Sequence, residues 1–366
     1  MPHSARPHLL VDISAHGYGH VSQTAPVVNE LARRMAGPGM PGLRVTVRSA
    51  APPELLQRRL LCEFRHIPVA LDFGMKMASA VEVQVAESAA AYRDYHADWD
   101  AKVRRQAQEM RALQPDLLLA NVPYLSLAAA HEAGIRAAAL CSLNWADIYG
   151  HYCAQTPGGA AIHAQMLAAY QGAEVFLRLQ PAMPMPDLHN TRSIGPIAEV
   201  GRNRRAELAA HLRAAYGERL VLVAMGGIDY RLPMEHWPHI PGVRWLVPGD
   251  WNIARADMIA FEALGLPFGD LLASCDAILT KPGYGTFAEA ACAGVPVLYV
   301  TRRDWPEEPC LVQWLKQNGV CREVERARLH SGEMAELLRG LWQQPKPPAP
   351  EARGAQEAAE ILAGML

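Results

Sequence analysis

Runs of consecutive apolar residues alternate along this chain with longer stretches in which apolar positions recur every three or four residues. The runs 9–14, 43–48, 66–70, 117–122, 136–141 and 174–179 predict strands in the first half, and 220–225, 243–247, 276–280, 295–300 and 320–323 predict strands in the second. Most are apolar on successive rather than alternate positions, which fits parallel sheets covered on both faces. Helical spacing fills the intervals. Ala25, Val28, Leu31, Ala32 and Met35 mark one helix, with Ser22 as its N-cap. Further helical patterns cover about Ser79 to Leu113, Arg204–Tyr216, Asp270–Ser274 and 352–365. The Pro-rich passage Pro181–Pro186 starts a crossing between two halves that Ile194-Gly195-Pro196-Ile197 ends, and Gln343–Pro350 reads as a stiff spacer. A chain of 366 residues exceeds a typical single α/β domain. The expected division is 1–190, 191–350 and a returning helix at 351–366.

Two glycine loops stand between a strand and a helix. Thr280-Lys281-Pro282-Gly283-Tyr284-Gly285-Thr286 follows the apolar run Ala277–Leu279 and opens a helix carrying Glu289. Glycines let backbone N–H groups approach a ligand, and the helix N-terminus favours an anion. Glu289, about one turn in, is placed to accept from ribose hydroxyls. Gly226-Gly227-Ile228-Asp229, after another strand, forms a second anion cradle in the same half, and Lys281 offers a point charge. Near the N-terminus, Ala15-His16-Gly17-Tyr18-Gly19-His20 follows the strand at 9–14. Gly17, Gly19 and Ser22 nearly match a dinucleotide fingerprint, but a dehydrogenase wants an acid after the next strand. That strand ends in Arg48-Ser49.

The loops together resemble those of GT-B nucleotide-sugar glycosyltransferases. They are most similar to the MurG-like branch and to the glycosyltransferase-like N-terminal half of plant L-arabinokinases. The resemblance rests on 16–20, on 281–286 and on Arg302-Arg303-Asp304-Trp305-Pro306-Glu307-Glu308-Pro309. It implies an α/β fold of two Rossmann-like parallel-sheet domains facing across a cleft, the first for an acceptor and the second for the donor, with the C-terminal helix packing back on the N-terminal domain. It also implies a metal-independent transferase that needs no cofactor beyond the nucleoside-diphosphate sugar, its donor substrate. His20 is the candidate general base, since an imidazole accepts a proton near neutral pH and the family places a histidine in this loop. His16, with Gly17, Tyr18 and Gly19, serves either the acceptor or the loop itself. Plant glycosyltransferases orient their histidine with an Asp where this chain has Asn121. An amide fixes a tautomer but cannot stabilise an imidazolium by charge, and Asp12 or Asp147 are the substitutes to consider. The stretch Asn144–Tyr149 looks like the arabinokinase acceptor-side loop with its Asp displaced by one position. Its Trp145 and Tyr149 suit either sugar C–H faces or a core. By the same resemblance, Asp304, Glu307 and Glu308 fall where GT-B enzymes bind sugar hydroxyls, and Phe268 falls where the base is read.

Composition excludes other classes. With 35 basic and 37 acidic residues the net charge is −2, which argues against a nucleic-acid partner. The arginines from Arg33 to Arg65 leave peripheral contact with anionic lipid or an acidic acceptor as an option beside plain solvated helix faces. Seven scattered cysteines without a C-x-x-C pair fit reduced thiols rather than a disulfide framework or zinc site. Asp12 interrupts the N-terminal apolar run, so no signal peptide is expected, and no stretch is long enough to span a bilayer. A cytoplasmic location is the expectation. Asp98-Trp99-Asp100 matches the D-x-D of metal-dependent transferases but lies in helical sequence, as a solvated face would. The expected reaction is sugar transfer to an unidentified acceptor hydroxyl with inversion. The alternatives are a nucleotide-sugar binding or regulatory protein on the same fold, and a UDP-sugar 2-epimerase, for which the expected N-terminal loop is missing.

Overall fold

The computed structural model describes residues 6–37, 39–79, 82–226, 231–301 and 304–366. Gly227, the turn at Ile228-Asp229, and Arg302-Arg303 lie outside the described residues. The chain divides into two compact units, residues 1–197 with 353–366, and residues 198–352.

The first unit is built on strands β1 (His8–Ile13), β2 (Arg44–Ser49) and β3 (Arg65–Pro68), a short hairpin of β4 (Met77–Ser79) and β5 (Glu82–Val83), then β6 (Leu117–Asn121), β7 (Arg136–Cys141), β8 (Val175–Leu179) and β9 (Thr191–Ile194). All but the hairpin form one seven-stranded sheet in the order β3-β2-β1-β6-β7-β8-β9, parallel at every pairing. Leu9, Leu10, Val11 and Leu117 to Leu119 are fully buried, as successive apolar positions in a doubly covered sheet require. The second unit repeats the plan with β10 (Arg219–Ala224), β11 (Val243–Val247), β12 (Met258–Ala260), β13 (Ala277–Thr280), β14 (Val297–Tyr299) and β15 (Cys321–Glu323), ordered β12-β11-β10-β13-β14-β15 and again all parallel. Its core gathers Val221, Val223, Trp245, Leu279, Leu298 and Leu338.

The last helix, Gly354–Ala363, returns to the first unit and packs on the helix Gly19–Met35. The approach is close: the Gly354 N–H donates to the Pro196 carbonyl at 3.0 Å, and a Cβ on Gly354 would sit 2.1 Å from the Gly195 oxygen. Only glycine fits there.

Several elements differ from the sequence reading. The first helix starts at Gly19, with Tyr18 rather than Ser22 at its N-cap position. The long helical pattern is a β4–β5 hairpin followed by two helices, Val85–His96 and Trp99–Leu113, broken at Ala97-Asp98. The helix after 204 ends at His211. β9 lies inside the supposed crossing, where the edge strand Thr-Arg-Ser-Ile has exposed polar residues and no apolar run to announce it. β12 was likewise too short to detect.

One buried ion pair ties the sheet of the first unit to its covering helix. Arg48 on β2 donates Nε to Asp12 Oδ1 (2.8 Å) and Nη2 to Asp12 Oδ2 (2.5 Å), while its Nη1 donates to Gln106 Oε1 (3.0 Å). Asp12 is fully buried and Arg48 nearly so. Removing one charge from such a pair strands the other in a dry interior, whereas replacing both with apolar side chains is often neutral. Arg48→Met is therefore expected to destabilise the protein by about 3–5 kcal/mol, and Asp12→Leu/Arg48→Met to recover most of that loss, both read from urea unfolding.

Candidate active site

β1 pairs with β6 so that Ile13 lies opposite Asn121, and the Ser14 N–H donates to the Asn121 carbonyl at 2.7 Å. The strand order of the first sheet reverses between these two strands, and open parallel sheets leave their crevice at such a point, beyond the carboxyl ends. The 14–18 loop occupies it. Gly17 takes φ +83°, a region that favours glycine, and a Cβ on Gly17 or Gly19 would meet no atom within 4 Å. Tyr18 is 52% exposed. Because the helix begins at Gly19, His20 stands on its first turn and is turned inward, only 6% exposed.

The His20 Nδ1 lies 2.8 Å from Asn121 Oδ1. The amide is oriented by its other side: Asn121 Nδ2 donates to Gln23 Oε1 (3.2 Å), Gln23 Nε2 donates to Ser142 Oγ (2.9 Å), and the Cys141 thiol donates to the same Gln23 oxygen (3.3 Å). In this arrangement the imidazole carries its proton on Nδ1 and keeps Nε2 as an acceptor. Burial pushes the His20 pKa down to about 4, against the opposing effect of its hydrogen bond to Asn121.

Neither candidate acid reaches His20. Asp12 is committed to Arg48. Asp147 begins the helix Trp145–Cys153, its N–H donates to Asn144 Oδ1 (2.8 Å), and its charged neighbours are Asp187 and His163. Burial raises the Asp147 carboxyl. The site's buried acid is instead Asp72, which the sequence reading missed. Asp72 Oδ1 accepts from Ser14 Oγ (2.8 Å) and the Ala15 N–H (2.9 Å), and Oδ2 accepts from the Trp145 indole N–H (2.9 Å). No local pattern marks an Asp between Leu71 and Phe73 in irregular chain; only its distance from Ser14 in space does.

Trp145 and Tyr149 are wholly buried and belong to the core, which rules them out as exposed sugar-stacking faces. Trp145 lies under both histidines instead, its ring 5.0 Å edge-on from His16 and 5.9 Å from His20. Gly74, at φ +61°, presses on the same pair: a Cβ there would be 2.4 Å from His16 Nδ1 and 2.8 Å from the indole. Tyr149 meets Tyr92 at 4.7 Å. Asp98 and Asp100 are exposed at the start of a helix, where Trp99 stacks on His96.

The second unit has its own reversal point, between β10 and β13, where Ala224 lies opposite Thr280. Thr280 Oγ1 donates back to the Ala224 carbonyl (2.6 Å), joining the two strand ends. Just beyond, Gly226 takes φ +75° under Lys281, whose Cε would be 3.1 Å from a Cβ at that position. The helix Tyr284–Cys292 starts here, with Gly283 as its N-cap, no side-chain capping bond and no acid in its first turn. A Cβ on Gly283 or Gly285 would meet nothing within 4 Å. Tyr284 is buried, and Thr286 and Glu289 are half-buried on the same helix. Beyond the adjacent β14, Asp304 is exposed, whereas Glu307 and Glu308 are buried, with Glu307 Oε2 accepting from the Trp305 indole at 3.3 Å. Two acids before a proline are ordinarily solvated; here they are packed inward. Phe268 opens a helix, half-buried, 6.5 Å from Phe261.

The low proton affinity of His20 has a stability consequence. Its folded pKa lies below its ordinary value, so the unfolded chain binds the extra proton between about pH 6.5 and pH 4. The stability from neutral His20 is complete above pH 6.5 and lost as the pH falls toward 4. Between pH 7.5 and 5 wild type should lose about 2 kcal/mol more than His20→Gln, measured by urea unfolding at each pH. Parallel curves for the two proteins would contradict the buried, neutral state.

No protein-family profile matches the chain. It is 25% identical over 351 residues to L-arabinokinase of Arabidopsis thaliana, a match covering 89% of this chain and 31% of that protein. It is 30% identical over 99 residues to an uncharacterized glycosyltransferase of Methanopyrus kandleri, covering 26% of this chain and 29% of the relative. The chain thus spans about a third of the length of the curated relatives it matches. Among solved structures it superposes on CalG4, the calicheamicin glycosyltransferase, with a TM-score of 0.65 at 17% identity over 99% of both chains. On UGT89C1 of Arabidopsis thaliana, complexed with UDP, the TM-score is 0.60 at 15% identity over 98% of this chain and 99% of that one. No helix among the described residues is long and apolar enough to cross a membrane. Two parallel-sheet units in this order, with the final helix returned to the first, make the chain a protein of the GT-B glycosyltransferase fold.

Proposed function

We propose that this chain is a metal-independent glycosyltransferase, with the second unit holding a nucleoside-diphosphate sugar and the first presenting an acceptor hydroxyl to His20. One observation carries the donor half of the reading. At the reversal point of the second sheet, Gly283 and Gly285 have room for a ligand at a helix N-terminus whose N-cap residue makes no side-chain cap, beside Lys281 over Gly226. Packing does not demand glycine at either 283 or 285. A diphosphate does, because its oxygens must come within reach of the backbone N–H groups, where helix dipole and ammonium both stabilise the leaving charge. Glu289 on the same helix would accept from the ribose, and Asp304, Glu307, Glu308 and Phe268 remain the proposed contacts for sugar and base. UDP is the natural first probe, since the related fold of UGT89C1 was solved with it.

In the proposed reaction the acceptor oxygen attacks the anomeric carbon as its proton passes to His20 Nε2. The bond from that carbon to the diphosphate breaks, the nucleoside diphosphate leaves with the electron pair, and a single displacement inverts the centre. Asn121 holds the Nδ1 proton and leaves Nε2 free for this step. A base with a pKa near 4 is neutral and competent throughout the physiological range but weak. That weakness favours a second reading, a nucleotide-sugar binding protein on the same fold with little transfer. The two readings share the donor site and differ at His20.

Gly285→Ala is expected to leave unfolding stability unchanged or raise it by up to about 1 kcal/mol, since alanine is the better helix former. The same methyl group should weaken UDP binding at least tenfold in calorimetry, and unimpaired binding would contradict the donor site. With an acceptor in hand, His20→Ala should reduce kcat by about 10²–10⁴-fold while leaving the dissociation constant of UDP alone. Full turnover by His20→Ala would remove the base assignment, and UDP binding without transfer by wild type would favour the binding protein.

A further inference from the structure

Asp72 makes three hydrogen bonds, and every group it holds supports a histidine. Ser14 Oγ and the Ala15 N–H lead directly into His16, whose own N–H donates to the same Ser14 oxygen at 3.2 Å. The Trp145 indole is the surface on which His16 and His20 both rest. None of these bonds belongs to a strand pairing or a helix, so they add nothing to the regular framework. They join three segments far apart in sequence at the reversal point of the first sheet. A buried carboxylate is costly to desolvate, and burial accordingly raises the Asp72 pKa against the three donors. An arrangement that sustains this cost has to hold something that an apolar residue could not.

We propose that Asp72 is a positioning residue for the His16–His20 pair, fixing the 14–18 loop from one carboxylate oxygen and the Trp145 indole beneath both rings from the other. The segment carrying it is itself anchored. Leu71 and Met75 are buried, the Tyr95 hydroxyl donates to the Leu71 carbonyl at 2.7 Å, and Gly74 closes on His16 and Trp145. The partners of Asp72 are Ser14, Ala15 and Trp145 rather than His20, so its effect reaches His20 through the indole and the loop. The proposal rests on the reading of His20 as the working side chain of the first unit.

The test follows ring N–H exchange by ¹⁵N-histidine NMR and uses no donor or acceptor. His20 and His8 are matched reporters in the same unit. His8, on β1, donates Nδ1–H to the Gln114 carbonyl (3.1 Å) and accepts at Nε2 from Thr46 Oγ1 (2.8 Å), remote from Asp72. In Asp72→Asn the His20 ring N–H should exchange at least tenfold faster with His8 unchanged. Should Asp72→Asn fail to fold, Trp145→Phe, which deletes the indole N–H and keeps an aromatic ring, carries the same comparison. His20 exchange that stays at the wild-type rate, or that rises in step with His8, would overturn the proposal. Because neither reporter depends on sugar transfer, that failure is distinct from failure of UDP to bind the second unit.

Discussion

The pairing of β1 with β6, and of β10 with β13, is the constraint from which both candidate sites follow. In each sheet the chain builds outward from its first strand, then crosses back and builds the other way. The loops after the two central strands cannot fold over each other, so they leave a crevice at their carboxyl ends. In the first unit this places His20 against Asn121, and in the second Lys281 over Gly226. Neither pair is near in sequence; both are neighbours because two parallel strands share a ladder.

The two crevices differ in character. That of the second unit is furnished largely by backbone: glycines with room around them, a helix N-terminus without a side-chain cap from Gly283, and Lys281. Such a surface suits a ligand with several equivalent oxygens and tolerates variation in what is attached to them. That of the first unit is furnished by buried side chains, an amide relay from Ser142 through Gln23 and Asn121 to His20, and a carboxylate-held tryptophan beneath it. Side chains locked in this way define one tautomer and one ring orientation. The proposed reaction asks for such a division, a donor held by its phosphates and an acceptor met by one atom.

Much of the framework was legible in the sequence because consecutive apolar residues have few other uses. The strands at 9–14, 117–122, 136–141 and 243–247 appear within a residue or two of their predicted bounds. What failed was whatever depended on tertiary partners. β9 has no apolar run, since an edge strand needs none. Ser22 is a better cap by type than Tyr18, yet the helix starts four residues earlier, placing His20 inside it. The sequence reading left Trp145 open between surface and core, and only the packing decides for core. Asp72 was invisible, because an isolated acid in irregular chain carries no periodic signal and its partners lie at Ser14, Ala15 and Trp145. Asn121 stood out only through the family resemblance, and its part in the relay needed Gln23 and Ser142 to be seen.

The central claim is that the second unit binds a nucleoside diphosphate, its phosphates held by backbone N–H groups and Lys281. A thermal-shift panel of UDP, GDP, dTDP, CDP and ADP without added metal, with NADH as a control, tests it most directly. A ligand at 100 times its dissociation constant adds about 2.7 kcal/mol, a shift of several degrees or less for a protein of this size. The account predicts that one nucleoside diphosphate raises the melting temperature and NADH does not. A response to NADH alone, or silence across all five diphosphates, would contradict it.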